Sequence, residues 1–119
     1  MPFVQITVIE GQSADCLDAL SQAVHQALMD EFGIPELDKF QVIHEVSEGH
    51  LIFPYEYLGI PHTKAMVYIQ ITAKQGRTVS MKQKLYAKIA SLIHANTSIA
   101  KEDVFIVLTE NAEENWLVR

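Results

Sequence analysis

Cysteine is almost missing from this chain: Cys16 stands alone among 119 residues. No internal disulfide can form, which excludes a disulfide-stapled secreted scaffold. Positive charge is scarce. Nine Lys and Arg face fifteen Asp and Glu, for a net charge of −6, and a nucleic-acid surface would need clustered cations. No apolar run approaches the roughly 20 residues of a membrane span. The first residues lack the basic flank and long apolar stretch of a signal peptide. The five glycines make no phosphate loop and no Gly-x-Ser-x-Gly turn. His25, His44, His50, His62 and His94 show no metal-ligand spacing. These absences predict a cytoplasmic protein with no cofactor, no metal, no nucleic-acid partner and no membrane partner.

What is present suits one domain over residues 1–119, with 49% hydrophobic residues to build a core. Phe3 to Ile9 alternates and is rich in β-branched residues, so it reads as a strand. Ser13 is a good helix N-cap, with Asp15 in the first turn. Leu17, Leu20, Val24 and Leu28 then mark one apolar face, and Gly33 and Pro35 end the helix. A second strand follows over about 39–46. Strand, helix and strand with short joints make a βαβ unit with a right-handed crossover.

The second half repeats the first at a constant offset of 65. Gln5-Ile6-Thr7 returns as Gln70-Ile71-Thr72, Gly11 as Gly76, Ser13 as Thr78, Asp38 as Asp103 and Phe40 as Phe105. The repeat units are about 2–46 and 66–110, joined by a loop over 47–65 that is long enough to cover or bind something. In the second unit the strands fall at about 66–73 and 104–109. Its helix covers about 79–95, with Met81, Leu85, Ile89 and Leu92 inward. Two such units predict an α+β fold: a four-stranded mixed sheet with both helices on one face. Val104 to Leu108 is apolar on both sides, as in a strand buried on both faces. No further helix is left to cover the open face, so a partner subunit is expected there. Gln5, Thr7, Gln70 and Thr72 form a polar row within it.

A few positions carry possible chemistry. If Met1 is removed, Pro2 becomes a free secondary amine, and burial lowers an amine's pKa toward that of a general base. The same proline also suits a strand's first residue for purely structural reasons. Arg77 follows Gly76 at the mouth of the second helix, where a guanidinium and free N–H groups can hold a carboxylate. A solvated surface arginine is the commoner meaning of that spacing, but the matching residue is Gln12, so the fold does not demand a cation there. Asp38 has Asp103 as its counterpart, which favours a turn cap. His25 sits at the core edge, and Trp116 walls a cavity or closes the core.

Pro2 before a strand, two βαβ units, Gly76-Arg77-Thr78 before Lys82-Gln83-Lys84-Leu85-Tyr86, Tyr57-Leu58-Gly59-Ile60, Glu102-Asp103-Val104-Phe105, Glu110-Asn111 and Trp116 together resemble the tautomerase superfamily. The likeness is to its longer-chain branch, which includes malonate semialdehyde decarboxylase. It implies a homotrimer, a catalytic Pro2 freed of Met1, and an Arg77 that binds or polarises a small oxo acid. It also implies an Asp38 that positions water, and substrate contacts from His25, Trp116 and Tyr57. The implied activity is tautomerisation of a small 2-oxo acid. The alternatives are decarboxylation or hydration of a three-carbon oxo acid and a non-catalytic carboxylate-binding trimer. Three departures accompany it: Val79 stands where decarboxylase-like members carry a second arginine, the chain ends Trp116-Leu117-Val118-Arg119, and His62-Thr63-Lys64 replaces a loop end that commonly holds arginine.

Overall fold

A computed structural model describes residues 1–118. Strand β1 (Pro2–Ile9) leads to helix α1 (Ala14–Phe32) and strand β2 (Gln41–Val46). The connection contains two short strands, β3 (Glu56–Tyr57) and β4 (Ile60–Pro61). Strand β5 (Val67–Lys74), helix α2 (Val79–Asn96) and strand β6 (Val104–Asn111) complete the second unit. The main sheet runs β2-β1-β5-β6. β1 and β2 are parallel, as are β5 and β6, while the central pair β1 and β5 is antiparallel. This is the expected α+β architecture.

The helices start alike for the same reason. Ser13 Oγ accepts the Cys16 amide at 3.0 Å, and Thr78 Oγ1 accepts the Met81 amide at 3.2 Å. Each satisfies one orphan N–H of a first turn. Before both caps the chain turns through a glycine with positive φ, +109° at Gly11 and +122° at Gly76, where a side chain would be strained.

Val4, Ile6 and Val8 of β1 and Val67, Ile69 and Ile71 of β5 point at the helices and are buried. Leu20, Val24 and Leu28 of α1 and Leu85, Ile89 and Ile93 of α2 meet them. Ile93 takes the place expected for Leu92, which is only half-buried. The spacing of 85, 89 and 93 follows one i, i+4 row straight down the helix. Burying each such side chain contributes about 1.5–3 kcal/mol. No described helix is long and apolar enough to cross a membrane.

The opposite sheet face carries Phe3, Gln5, Thr7, Tyr68, Gln70, Thr72, Phe105 and Val107. Gln5 lies directly across from Gln70, and Gln70 beside Val107. Among the described residues nothing covers it: Phe105 is 52% and Val107 44% exposed. β6 is therefore buried on one face only within a single chain.

Asp103 is 2% exposed and caps the turn that enters β5, accepting from the Thr63 amide at 2.8 Å and from the Thr63 hydroxyl at 2.5 Å. Asp103→Ala strands both donors. It is expected to lower unfolding free energy by about 1–3 kcal/mol, measurable by urea denaturation; a change within 0.5 kcal/mol, roughly the scatter of surface substitutions, would show that the cap is dispensable.

Candidate active site

One end of the sheet collects most of the singled-out residues. The antiparallel register sets Pro2 against Ala73, so the start of β1 adjoins the end of β5. Parallel pairing brings the start of β2 and the end of β6 to the same end of the sheet. The amide of Val4 donates to the Phe40 carbonyl at 3.0 Å, which fixes the entry of β2 beside the N-terminus. Gln75 donates to the Asn111 carbonyl at 2.9 Å, which fixes the exit of β6.

Met1 is attached in this structure, so the nitrogen of buried Pro2 is an amide. The α-amine of Met1 stands beside it, 3.7 Å from Asp38 Oδ2. Burial pushes this amine below its ordinary pKa. The Asp38 carboxylate opposes that shift, while the cations of Arg77 and Lys74 reinforce it. An amine at this sheet end is therefore biased toward its neutral form.

Asp38 arrives on the turn after α1, closed by its amide donating to the Pro35 carbonyl at 3.0 Å. Its Oδ1 is buried and has no hydrogen-bond partner among the described residues. The contrast with Asp103 is informative. At the equivalent position Asp103 commits both oxygens to Thr63. Asp38 keeps an acceptor open beside the amine, and a buried acceptor without a donor is destabilising unless something supplies one.

Arg77 is held rather than free in solvent. Its Nη1 donates to the Lys74 carbonyl at 2.9 Å, and its guanidinium lies 4.8 Å from the centre of the Phe32 ring. Nearby, Lys82 pairs with Glu110, and that contact with a further backbone bond from Gly76 holds the Glu110 carboxyl below its usual range. Among the described residues, no carboxylate pairs with Arg77 itself.

A cavity of about 200 Å³ opens beside the N-terminus, lined by Met1, Pro2, Phe3, Phe40, Trp116 and Leu117. The Trp116 indole N–H donates to Asn111 Oδ1, which fixes the ring as one wall. Phe40 lines this cavity and Phe32 backs the Arg77 guanidinium, and the sequence marked neither as functional. Their only signal was an aromatic at each side of the α1–β2 joint.

Two expected substrate contacts are placed elsewhere. His25 is 5% exposed, does not line the cavity, and bonds through Nε2 to the Glu36 carbonyl at 2.7 Å. It braces the turn that carries Asp38. Tyr57 lies on the β3–β4 hairpin near the start of β5, toward the other end of the sheet. There it lines a separate apolar cavity of about 190 Å³ with Phe53, His62, Tyr68 and Phe105. Among the described residues, no group of three His, Cys, Asp or Glu could hold a metal ion.

Comparison with known proteins adds a second line to this geometry. Two family models described as tautomerase enzymes match residues 38–119 and 2–59. The probable tautomerase YusQ of Bacillus subtilis (strain 168) is 42% identical, over 98% of this chain and 91% of its own. The crystal structure of FG41 malonate semialdehyde decarboxylase inhibited by 3-bromopropiolate superposes with a TM-score of 0.91 at 30% identity, covering 97% of this chain and 87% of that one. A fused 4-OT symmetric trimer shares the fold at a TM-score of 0.78 and 22% identity, covering 93% of this chain and 86% of that one. Matches that run the length of both repeat units, from Pro2 through the β6 exit, leave one assignment: the chain belongs to the tautomerase family.

Proposed function

We propose that this chain is a cofactor-independent cytoplasmic tautomerase that interconverts the enol and keto forms of a small 2-oxo acid, with Pro2 as its general acid/base. The observation that carries this reading is the amine at the start of β1. It is biased toward neutrality by burial and by Arg77 and Lys74, and it faces a carboxylate with an unused oxygen. After loss of Met1 the proline nitrogen becomes that amine, one residue deeper at a buried position. It takes the enol hydroxyl proton and returns a proton at carbon. Arg77 holds the substrate carboxylate and steadies the negative charge that develops on the oxygen. Phe40 and Trp116 exclude water along the cavity wall, and Asp38 orients the amine or a bound water. His25 acts through the Asp38 turn. The lone Cys16 fits a reducing compartment.

The test is ketonisation of an aromatic or short-chain 2-oxo acid enol, followed by ultraviolet absorbance, on protein whose intact mass shows Met1 removed. Catalysis above the buffer rate is expected. Its absence across both substrate types overturns the assignment. Decarboxylation or hydration of a three-carbon oxo acid is the second reading, favoured by the unused Asp38 oxygen and by the likeness to a malonate semialdehyde decarboxylase; carbon dioxide release from such an acid distinguishes it.

The same reading includes a homotrimer. The uncovered face with Phe105 and Val107 supplies the apolar area, and a related fold is known as a trimer. Light scattering is expected to give three times the 13.4 kDa chain mass; a stable monomer at micromolar concentration counts against it. Assembly also offers Tyr57 a route to a neighbouring subunit's site.

A further inference from the structure

We infer that Lys82 and Glu110 are a positioning pair for Arg77. Glu110 steadies the Gly76 turn that aims the guanidinium, and Lys82 keeps the Glu110 carboxylate from closing on that guanidinium itself. Neither residue touches the substrate. The inference rests on the reading that Arg77 meets a substrate carboxylate, and it deepens that reading by assigning what keeps the arginine aimed and unoccupied.

Lys82 lies in the first turn of α2, where its amide donates to the Thr78 carbonyl at 3.1 Å. Its Nζ is 2.5 Å from Glu110 Oε1, and both side chains are 25% exposed. Glu110 stands near the end of β6, on the face shared with Val104, Ile106 and Leu108. Its carboxylate takes the Lys82 ammonium, accepts a backbone bond from Gly76 and feels the Arg77 cation. One carboxylate thus reaches the residue just before the arginine. Arg77 nevertheless pairs with no carboxylate among the described residues, and its Nη1 is spent on the Lys74 carbonyl at 2.9 Å.

The turn itself forms without such a pair. In the first unit Gly11 turns at φ +109°, and the Glu10 amide closes on the Val46 carbonyl at 2.8 Å. In the second, Gly76 turns at φ +122°, and the Gln75 amide closes on the Asn111 carbonyl at 2.9 Å. The backbone solution is the same. At the repeat offset, Leu17 stands in the place of Lys82 and Glu45 in that of Glu110. Leu17 packs against the core and Glu45 is exposed, so those two residues brace nothing with charge. The first unit also has Gln12 in place of Arg77. The half-buried ion pair therefore occurs only in the unit whose turn carries the arginine.

Charge accounts for the arrangement. A Glu110 carboxylate without Lys82 would turn to the Arg77 cation, whose charge it already senses. An incoming substrate would then have to break that pair first. With Lys82 in place the carboxylate is neutralised locally, and Lys82 is consumed in the same contact. The Lys82 bond is also the first cause that holds the Glu110 carboxyl below its usual range, so the pair stays charged at neutral pH.

The experiment measures pyruvate binding by NMR and enol ketonisation by steady-state kinetics on Met1-free protein. Lys82→Met keeps the aliphatic stem and frees Glu110. It should weaken pyruvate binding and raise KM by about fivefold, the competition of one partly exposed ion pair, with kcat within a few-fold of wild type. Adding Glu110→Gln removes the competing charge but leaves an oxygen for the Gly76 amide, so the double variant should recover wild-type affinity. Glu110→Ala alone should instead lower kcat, by about tenfold, because the turn loses its acceptor. In Arg77→Ala protein the Lys82→Met change should have no further effect. An unchanged KM in Lys82→Met, an unchanged kcat in Glu110→Ala, a loss that Glu110→Gln does not rescue, or the same loss without Arg77 overturns the inference, as does a wild type that binds no pyruvate. If wild type ketonises no enol while the binding loss and its rescue appear as stated, the positioning pair stands and the proposed catalysis falls.

Discussion

Pro2→Ala is expected to lower kcat/KM for enol ketonisation by about 10²–10⁴-fold, the usual cost of losing one positioned acid/base group. That corresponds to roughly 3–5 kcal/mol of transition-state stabilisation. The substituted alanine leaves a primary amine at the strand start once Met1 is cleaved, so the residual rate should lie above the buffer reaction. A form that keeps Met1 should fall at least as far. Its Pro2 nitrogen is an amide, and its α-amine sits one residue out, against Asp38 at 3.7 Å. Steady-state kinetics on protein of verified intact mass checks both. The fold should survive either change, because β1 is held by its ladders to β2 and β5 from Val4 onward. Full activity in the Met1-retaining form would take Pro2 out of the mechanism.

Much of this site could be read from the sequence because it is built on a repeat. Ser13 and Thr78 announced equivalent helix starts, and both cap as their residue type dictates. The β6 run Val104–Leu108 announced an apolar face that one chain leaves open. Other parts were beyond local pattern. Asp38 and Asp103 share a position and a residue type, yet one caps Thr63 and the other retains a bare oxygen. The difference lies in what the chain places opposite each, which only long-range register decides. Phe40 joined the site by the same register. Residues 56–61 form a hairpin of two-residue strands, too short for any periodicity to show. Its turn needs positive φ at both central residues, 53° at Leu58 and 79° at Gly59, and leucine gives no sign of such a turn. His25 was legible as a core-edge residue, but its bond to the Glu36 carbonyl depends on how the α1–β2 turn folds back.

Arg77→Ala is expected to affect binding and chemistry together. The guanidinium is fixed by the Lys74 carbonyl and the Phe32 ring, so its charge is already aimed and needs no reorganisation during the reaction. Losing an oriented donor of this kind typically costs about 10²–10³-fold in kcat. Because the proposed mechanism has the same group hold the ground-state carboxylate, KM should rise as well. The pH dependence separates a catalytic charge from a structural one. A base must be neutral to accept the proton, so kcat/KM should climb as pH passes through the amine's pKa. At the Met1 amine burial lowers the pKa, Asp38 raises it and Arg77 lowers it, and the same two charges are expected to act with the same signs on the Pro2 amine once Met1 is removed. Arg77→Ala should therefore shift the acid limb to higher pH, and Asp38→Asn should shift it to lower pH. The two displacements have opposite signs, which general loosening of the fold would not produce. An acid limb that stays in place in both variants would mean that neither charge acts on the titrating group, and the amine at the head of β1 would not be the base.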